Sequence, residues 1–272
     1  MKTNGLSLLG LATLVSALTA SPALAADVYF GEDLTAGSAA ALTNSVQARS
    51  SFVSALAGYG TESFETFAGG QVLPVGAGLT FTGSSTTAVI SGGLIRNVPF
   101  NARFAADGTN YYETDGNRRI TFSAPVAAFG LFVIDANENN NNPATVTVNG
   151  QLLTQAQINE RPFDSVDGIF RIVTERAPGQ FEVLFDAGSF PAGDSSGMFV
   201  GLIDSANPFS NIILINGTSG LDGPFLDGFA YDGIMVGTVQ MAAIPEPETY
   251  ALMLGGLGLL GLAVRRRNAV QV

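Results

Sequence analysis

Residues 120–150 read ITFSAPVAAFGLFVIDANENNNNPATVTVNG. Two runs rich in Val, Ile, Phe and Thr come first. A polar loop follows, Pro143 ends it, and a third run closes on Asn149-Gly150. β-Branched and aromatic runs bounded by Gly, Asn, Asp and Pro have the composition of strands. In ATVTVNG polarity alternates, so Val146 and Val148 share one face of a strand. Asn-Gly is the dipeptide of tight hairpin turns.

The same texture extends outward on both sides. Upstream lie SFETF (63–67), GLTFTG (78–83) and TTAVISGG (86–93). Downstream lie GIFRIVT (168–174), QFEVLFD (180–186), GMFVGLID (197–204), NIILING (211–217) and FAYDGIMVG (229–237). ERAPGQ and SFPAGDSSG supply further turns. Short strands at near-regular spacing, without a helical run between them, predict a mainly β fold: an antiparallel β-sandwich, jelly-roll-like, over 61–240. No internal repeat is evident.

Ahead of this domain, residues 26–60 predict a short helical segment. SAAALTNSVQARSSFVSAL (38–56) is alanine-rich, with Ser38 as N-cap and Gly58 and Gly60 as stops. Leu42, Val46, Val53 and Leu56 fall near one face, and Arg49 interrupts the stripe.

Composition removes several chemistries. The 272-residue chain has no cysteine and no histidine. Thiolate nucleophiles, thiolate zinc sites and cysteine-ligated clusters are therefore absent. So are the Ser-His-Asp triad and the usual neutral-pH general base. The formal net charge is -11, and Lys2 is the sole lysine. Between the two ends the only basic residues are Arg49, Arg96, Arg103, Arg118, Arg119, Arg161, Arg171 and Arg176. Such a surface repels phosphate and excludes a nucleic-acid partner.

Both ends have the character of addresses. Lys2, the apolar stretch 6–18 and the small-x-small site Ala23-Leu24-Ala25 form a secretory signal over 1–25, cleaved after Ala25. At the other end Pro245-Glu246-Pro247 precedes an apolar segment, 250–264, and then Arg265-Arg266-Arg267. As a helix this segment reaches about 22 Å, shorter than a typical hydrocarbon core of about 30 Å. A tolerant bilayer would hold it as a C-terminal membrane helix. The arginines would resist translocation and keep the acidic body outside.

This order resembles the PEP-CTERM sorting signal of Gram-negative bacteria, and the resemblance covers 244–268. It implies recognition of Pro245, Glu246 and Pro247, and removal of the tail, by an exosortase-type enzyme. It also implies an exported surface or extracellular-matrix protein of a bacterium that makes exopolysaccharide. A plain single-span anchor is the alternative. FETF, GMFVGLID and DGFAYDGIMVG resemble, more loosely, the sandwich domains such proteins carry; Asp232-Gly233 stands where those domains often have Asp-Asn.

Four candidate sites follow. In jelly rolls of the carbohydrate-binding type, an acid on the first strand and an aspartate on the last often share a structural Ca²⁺. Glu65 and Asp232 occupy comparable places, with Asp227 as a further ligand; solvent-face carboxylates are the ordinary alternative. DANENN aligns Asp135, Asn137 and Asn139 with the opening of an EF-hand loop, but Asn140 and Val146 break the pattern and a solvated loop is expected. Glu113, Asp115, Asp164 and Asp167 supply carboxylates from which a glycoside-hydrolysis pair would be drawn, although nothing in the spacing pairs them. Arg118-Arg119 would place one arginine in solvent and the other on a carboxylate. Just upstream, Asn110, Tyr111 and Tyr112 would either stack on a sugar or pack in the core.

The expected function is structural and without catalysis, with exopolysaccharide as a possible contact. A lectin-like carbohydrate-binding module is the alternative, and an extracellular glycan-active hydrolase the second.

Overall fold

Alternation of side chains along each strand decides how the layers assemble. The computed structural model describes residues 26–34, 36–114, 116–135, 145–147, 152–154, 157, 170–188, 196–216 and 228–239. Its strands are β1 (Asp27–Asp33), β2 (Leu56–Glu62), β3 (Val72–Thr80), β4 (Thr87–Arg96), β5 (Tyr111–Thr114), β6 (Arg118–Val126) and β7 (Ala128–Ile134). Then come β8 (Thr145–Thr147), β9 (Leu152–Thr154), β10 (Phe170–Ala177), β11 (Gln180–Gly188), β12 (Gly197–Ile203), β13 (Phe209–Asn216) and β14 (Phe229–Val239). Helix α1 (Thr43–Ser54) follows a short 3₁₀ turn at Ala39–Ala41.

Among the described residues every strand pairing is antiparallel. The strands run in the order β1-β12-β7-β14-β5-β4-β6-β13-β10-β11-β8, with β2 on β14, β3 on β4 and β9 on β11. The two halves of this run face each other. Leu131, Val133, Val200 and Tyr231 from one half share a buried cluster with Ile90, Ile120, Ile172 and Ile212 from the other. The fold is therefore sandwich-like, mainly β and antiparallel, as the sequence predicts.

β7 is buried at every residue because both of its faces are covered. Phe129, Leu131 and Val133 point into the sandwich core. Ala128, Phe132 and Ile134 point the other way, into a second cluster with Phe52 of α1. β12 repeats the pattern, with Met198, Val200 and Leu202 inward and Phe199 and Ile203 toward the helix. A third cluster of Val173, Phe181, Val183, Ile213, Ile215 and Leu153 joins β9, β10, β11 and β13.

The amino-terminal segment departs from expectation. It opens on a strand, since β1 pairs with β12 from Asp27↔Ile203 to Asp33↔Gly197, and it ends in β2 on β14. Helix α1 starts at Thr43, not Ser38, and Gly58 and Gly60 lie within β2. Its cap comes from another element. The Asp33 carboxylate of β1 accepts the Asn44 and Ser45 amides at 2.9 Å each, and the Ser45 hydroxyl at 2.7 Å. The buried positions of α1 are Ser45, Ala48 and Phe52, whereas Val46 is exposed. Glycines on the sheet make this small face sufficient. A Cβ on Gly201 would lie 2.5 Å from the Phe52 ring, and one on Gly31 2.2 Å from the Asn44 carbonyl oxygen.

SFETF is a turn, not a strand. Side chains take its backbone groups: Glu62 accepts the Phe64 amide at 2.7 Å, and the Asn110 side-chain amide donates to the Phe64 and Phe67 carbonyls at 2.9 Å each. Phe64 is held at φ +61°. Among the described residues no helix is long and apolar enough to cross a membrane. The expected membrane helix and signal, and the turn at Asn149-Gly150, lie outside the described residues.

Candidate functional site

The loop between β4 and β5 gathers the polar groups singled out from the sequence. Phe100 and Arg103 close a two-residue turn by exchanging backbone hydrogen bonds of 3.0 Å, with Asn101 and Ala102 in the left-handed region at φ +46° and +63°. The chain then runs through 104–110 into β5. Glu65 and Asp232 hold this run at two points. Glu65 accepts the amides of Thr109 at 2.7 Å and Asn110 at 2.6 Å, and the Thr109 hydroxyl at 3.2 Å. Asp232 accepts the amides of Ala106 and Asp107 at 2.7 Å each, and its own neighbour Gly233 at 2.6 Å. Arg49 of α1 adds a 3.1 Å ion pair to Asp107.

The two carboxylates expected to share a metal thus share a loop, as acceptors of its backbone amides. Asp227 lies outside the described residues. Among the described residues no group of three or more Asp and Glu side chains is placed to hold a metal ion. The two acids differ electrostatically. Burial pushes Glu65 upward, but the Asn110 and Thr109 donors outweigh it and hold the group below the usual carboxylate range. Burial pushes Asp232 well above that range, against the pull of the Asp107, Gly233 and Ala106 amides. The Asp107 charge adds to the upward push.

Beside the loop lies a chain of buried charges. Arg103 donates from Nη1 to Glu113 at 2.6 Å and from Nε to Asp135 at 3.1 Å. Arg96 takes the other Glu113 oxygen and lies over the Phe100 ring, 3.9 Å from its centroid. Pairs this buried cost desolvation and are not by themselves a source of stability, but losing one partner strands the other's charge. Glu113, a candidate hydrolytic acid, has both oxygens on arginines. Asp115, Asp164 and Asp167 lie outside the described residues, so no carboxylate pair of the predicted kind is described. Asp135 of the EF-hand-like stretch is turned to Arg103; Asn137, Asn139 and Asn140 lie outside the described residues. A cavity of about 330 Å³ adjoins this network, lined by Arg103, Glu113, Thr114, Arg118, Leu94 and two glycines.

Tyr111 and Tyr112 are fully buried and pack in the core, the second of the two alternatives their sequence leaves open. Tyr112 lies between Phe64 and Tyr231 in a stack of rings. The Tyr111 hydroxyl donates to the Val98 carbonyl at 3.1 Å, and burial, with the Glu113 charge, pushes its pKa up to about 12. Arg119 meets Glu175 at 2.7 Å, the carboxylate partner expected for one of the two arginines. Arg118 does not simply face solvent: it donates from Nε to the Tyr112 hydroxyl at 2.9 Å.

Sequence reasoning missed Arg96 and Arg103. The arginines carry no spacing signal, because their partners come from β5 and the end of β7.

Comparison with known proteins places one feature firmly. Residues 243–267 match the family described as the PEP-CTERM protein-sorting motif. The chain therefore carries that sorting motif, over the residues that suggest it in the sequence. No curated protein matches the chain. Among solved structures, the K2 cleaved adhesin domain of Lys-gingipain is similar at 9% identity and a TM-score of 0.35, over 68% of this chain and 98% of that one. The CBM22-1–GH10 modules of Clostridium thermocellum endo-1,4-beta-D-xylanase 10B, complexed with xylohexaose, align at 9% identity and 0.29, over 67% of this chain and 29% of that one. The C-terminal family 22 carbohydrate-binding module of the same xylanase aligns at 9% identity and 0.27, over 67% and 93%. At these scores the likeness carries no argument about ligand or activity.

Proposed function

We propose that this chain is an exported protein sorted to the cell surface, and that its β-sandwich serves there as a non-catalytic component of the extracellular matrix of an exopolysaccharide-producing bacterium. The observation that carries the reading is the sorting motif at 243–267, with Pro245-Glu246-Pro247 ahead of the apolar segment and Arg265-Arg266-Arg267 behind it. In this reading the signal over 1–25 starts export and the apolar segment halts in the inner membrane. The arginines stay on the cytoplasmic side, and an exosortase-type enzyme releases the body outside.

The chemistry of the body supports a structural role. The sequence offers neither histidine nor cysteine. Glu113, the described carboxylate that lines the cavity, is engaged by two arginines, and Asp135 and Asp232 are engaged by an arginine and by backbone amides. These are the arrangements of a rigid scaffold rather than of a poised acid and base.

Fractionation of the native host tests the reading. The wild-type chain is expected at the cell surface or in the matrix, shortened at its carboxyl end. The Pro245→Ala, Glu246→Ala, Pro247→Ala variant is expected to accumulate uncut in the inner membrane. Finding the intact wild-type chain in the cytosol, with both ends present, overturns the proposal.

A further inference from the structure

Residues 66–95 carry no charged side chain, the longest such stretch in a chain with 23 Asp and Glu residues. Most of it forms the hairpin of β3 and β4, paired from Val72↔Leu94 to Thr80↔Thr87. Leu73, Leu79 and Ile90 of this hairpin join the sandwich core. Its other side chains are left to solvent. Val72 and Val75 are 73% and 85% exposed, the most exposed large apolar side chains among the described residues. Val89 is also exposed; it lies opposite Gly78 on one side and Thr121 of β6 on the other. Val75 lies opposite Ser91. Charge returns only at the border, where the Ser91 hydroxyl accepts the Arg119 amide at 3.2 Å and Arg119 pairs with Glu175 at 2.7 Å. An uncharged, partly apolar centre with a charged border is how protein–protein contacts are built.

The edge of β3 is closed to a further strand. Among the described residues β3 pairs with β4 alone. Pro74 brings no N–H to the edge, Gly76 sits at φ +82°, and the register shifts between Val75 and Ala77. Proline and a bulge are the devices by which edge strands avoid pairing with another sheet. The Glu62 carboxylate takes the Thr80 amide at 3.1 Å, which occupies the end of the strand as well. What stays open is the face of the hairpin, not its edge.

We propose that this face is a self-association surface, on which a second copy of the chain docks face to face about a two-fold axis. Charge decides the occupant. A cationic partner is drawn to the acidic remainder of the body rather than to its one uncharged hairpin. Two copies of a chain with net charge -11 repel each other, so contact between them calls for a face without carboxylates, and this hairpin supplies it. A two-fold axis sets the same patch against itself, valines to valines, and leaves the charges of both copies outside the contact. The pairing is a property of the chain itself and does not depend on where the chain is exported.

Sedimentation equilibrium of the full-length chain in an uncharged mild detergent tests the proposal. At about 100 μM the wild-type chain is expected to be dimeric in about 500 mM sodium chloride and to associate several-fold more weakly in about 10 mM, because salt screens the repulsion between bodies. The Val72→Glu, Val75→Glu variant is expected to weaken association about tenfold or more. The Val72→Thr, Val75→Thr variant keeps the charge and the β-branching, and is expected to weaken it about threefold or more. A Val46→Glu, Leu152→Glu control adds the same charge at exposed positions on α1 and β9 and is expected to stay within about threefold of wild type. Since the substituted side chains are exposed, every variant is expected to keep the wild-type thermal midpoint. A chain monomeric at both salt concentrations overturns the proposal, as does association that weakens with added salt. Association indifferent to the changes at Val72 and Val75 belongs to the apolar tail and overturns it too, and so does equal sensitivity to the control pair. None of these results bears on the surface role, which the fractionation decides separately.

Discussion

Asp232 sits where an ionised carboxylate is least welcome, fully buried, yet three backbone amides converge on it. Burial wins, so its folded-state pKa lies above its unfolded value near 4. The folded protein therefore takes up this proton first. The stability it brings is fully present below the unfolded value and is lost as pH rises through the folded one. Glu65, on the same loop, has the opposite sign: its contribution is present above its unfolded value and fades as pH falls through its depressed one. Asp232→Asn removes the titration but turns an amide nitrogen toward backbone donors, so the variant is expected to be less stable at the acid end, by about 1–3 kcal/mol. The informative quantity is the gap between the two proteins in urea unfolding from pH 5 to 8. The gap should narrow as pH rises, because only wild type must ionise Asp232. A gap independent of pH contradicts the assignment.

At the scale of elements, α1 is held by its neighbours rather than by its own pattern. Leu42 at its N-cap offers no side-chain bond, and Asp33 caps it from β1. Asp33→Ala is expected to cost about 1 kcal/mol, the loss of one cap. Gly31→Ala is expected to cost more, about 1–3 kcal/mol, because the new Cβ meets a helix carbonyl at 2.2 Å and backbone must move. Urea midpoints measure both, and a neutral Gly31→Ala would refute the close packing. The same case shows what the sequence concealed. The alanine-rich run announces a helix, but which face it buries depends on Gly31, Gly130 and Gly201 on the sheet, whose packing is non-local. The runs at 120–135 were legible as strands because their composition and alternation are local properties, and β6 and β7 lie there. The turn at SFETF was not, because Glu62 and Asn110 take up backbone bonds that a strand would have used.

For the molecule as a whole, charge and address are kept apart. The chain divides into Met1–Val239 and Gln240–Val272. The ends outside the body carry Lys2 and Arg265, Arg266 and Arg267 against only Glu246 and Glu248, so the body is more acidic than the -11 of the complete chain. The ends were readable because an address is a linear pattern; the Arg96, Arg103, Glu113 and Asp135 network was not, because its members meet only in the fold. A body without lysine repels itself, and screening should relieve that repulsion. Buried pairs such as Arg103–Glu113 are screened much less. The thermal midpoint of the processed protein is therefore expected to rise by a few degrees from about 10 mM to about 500 mM sodium chloride. Calcium and magnesium at equal millimolar concentration are expected to raise it equally, since amides already occupy Glu65 and Asp232. A midpoint that falls with salt would contradict the repulsion argument. A calcium shift clearly larger than that of magnesium would mean that Glu65, Asp232 and Asp227 assemble a specific site after all, because calcium accepts irregular oxygen shells that magnesium does not.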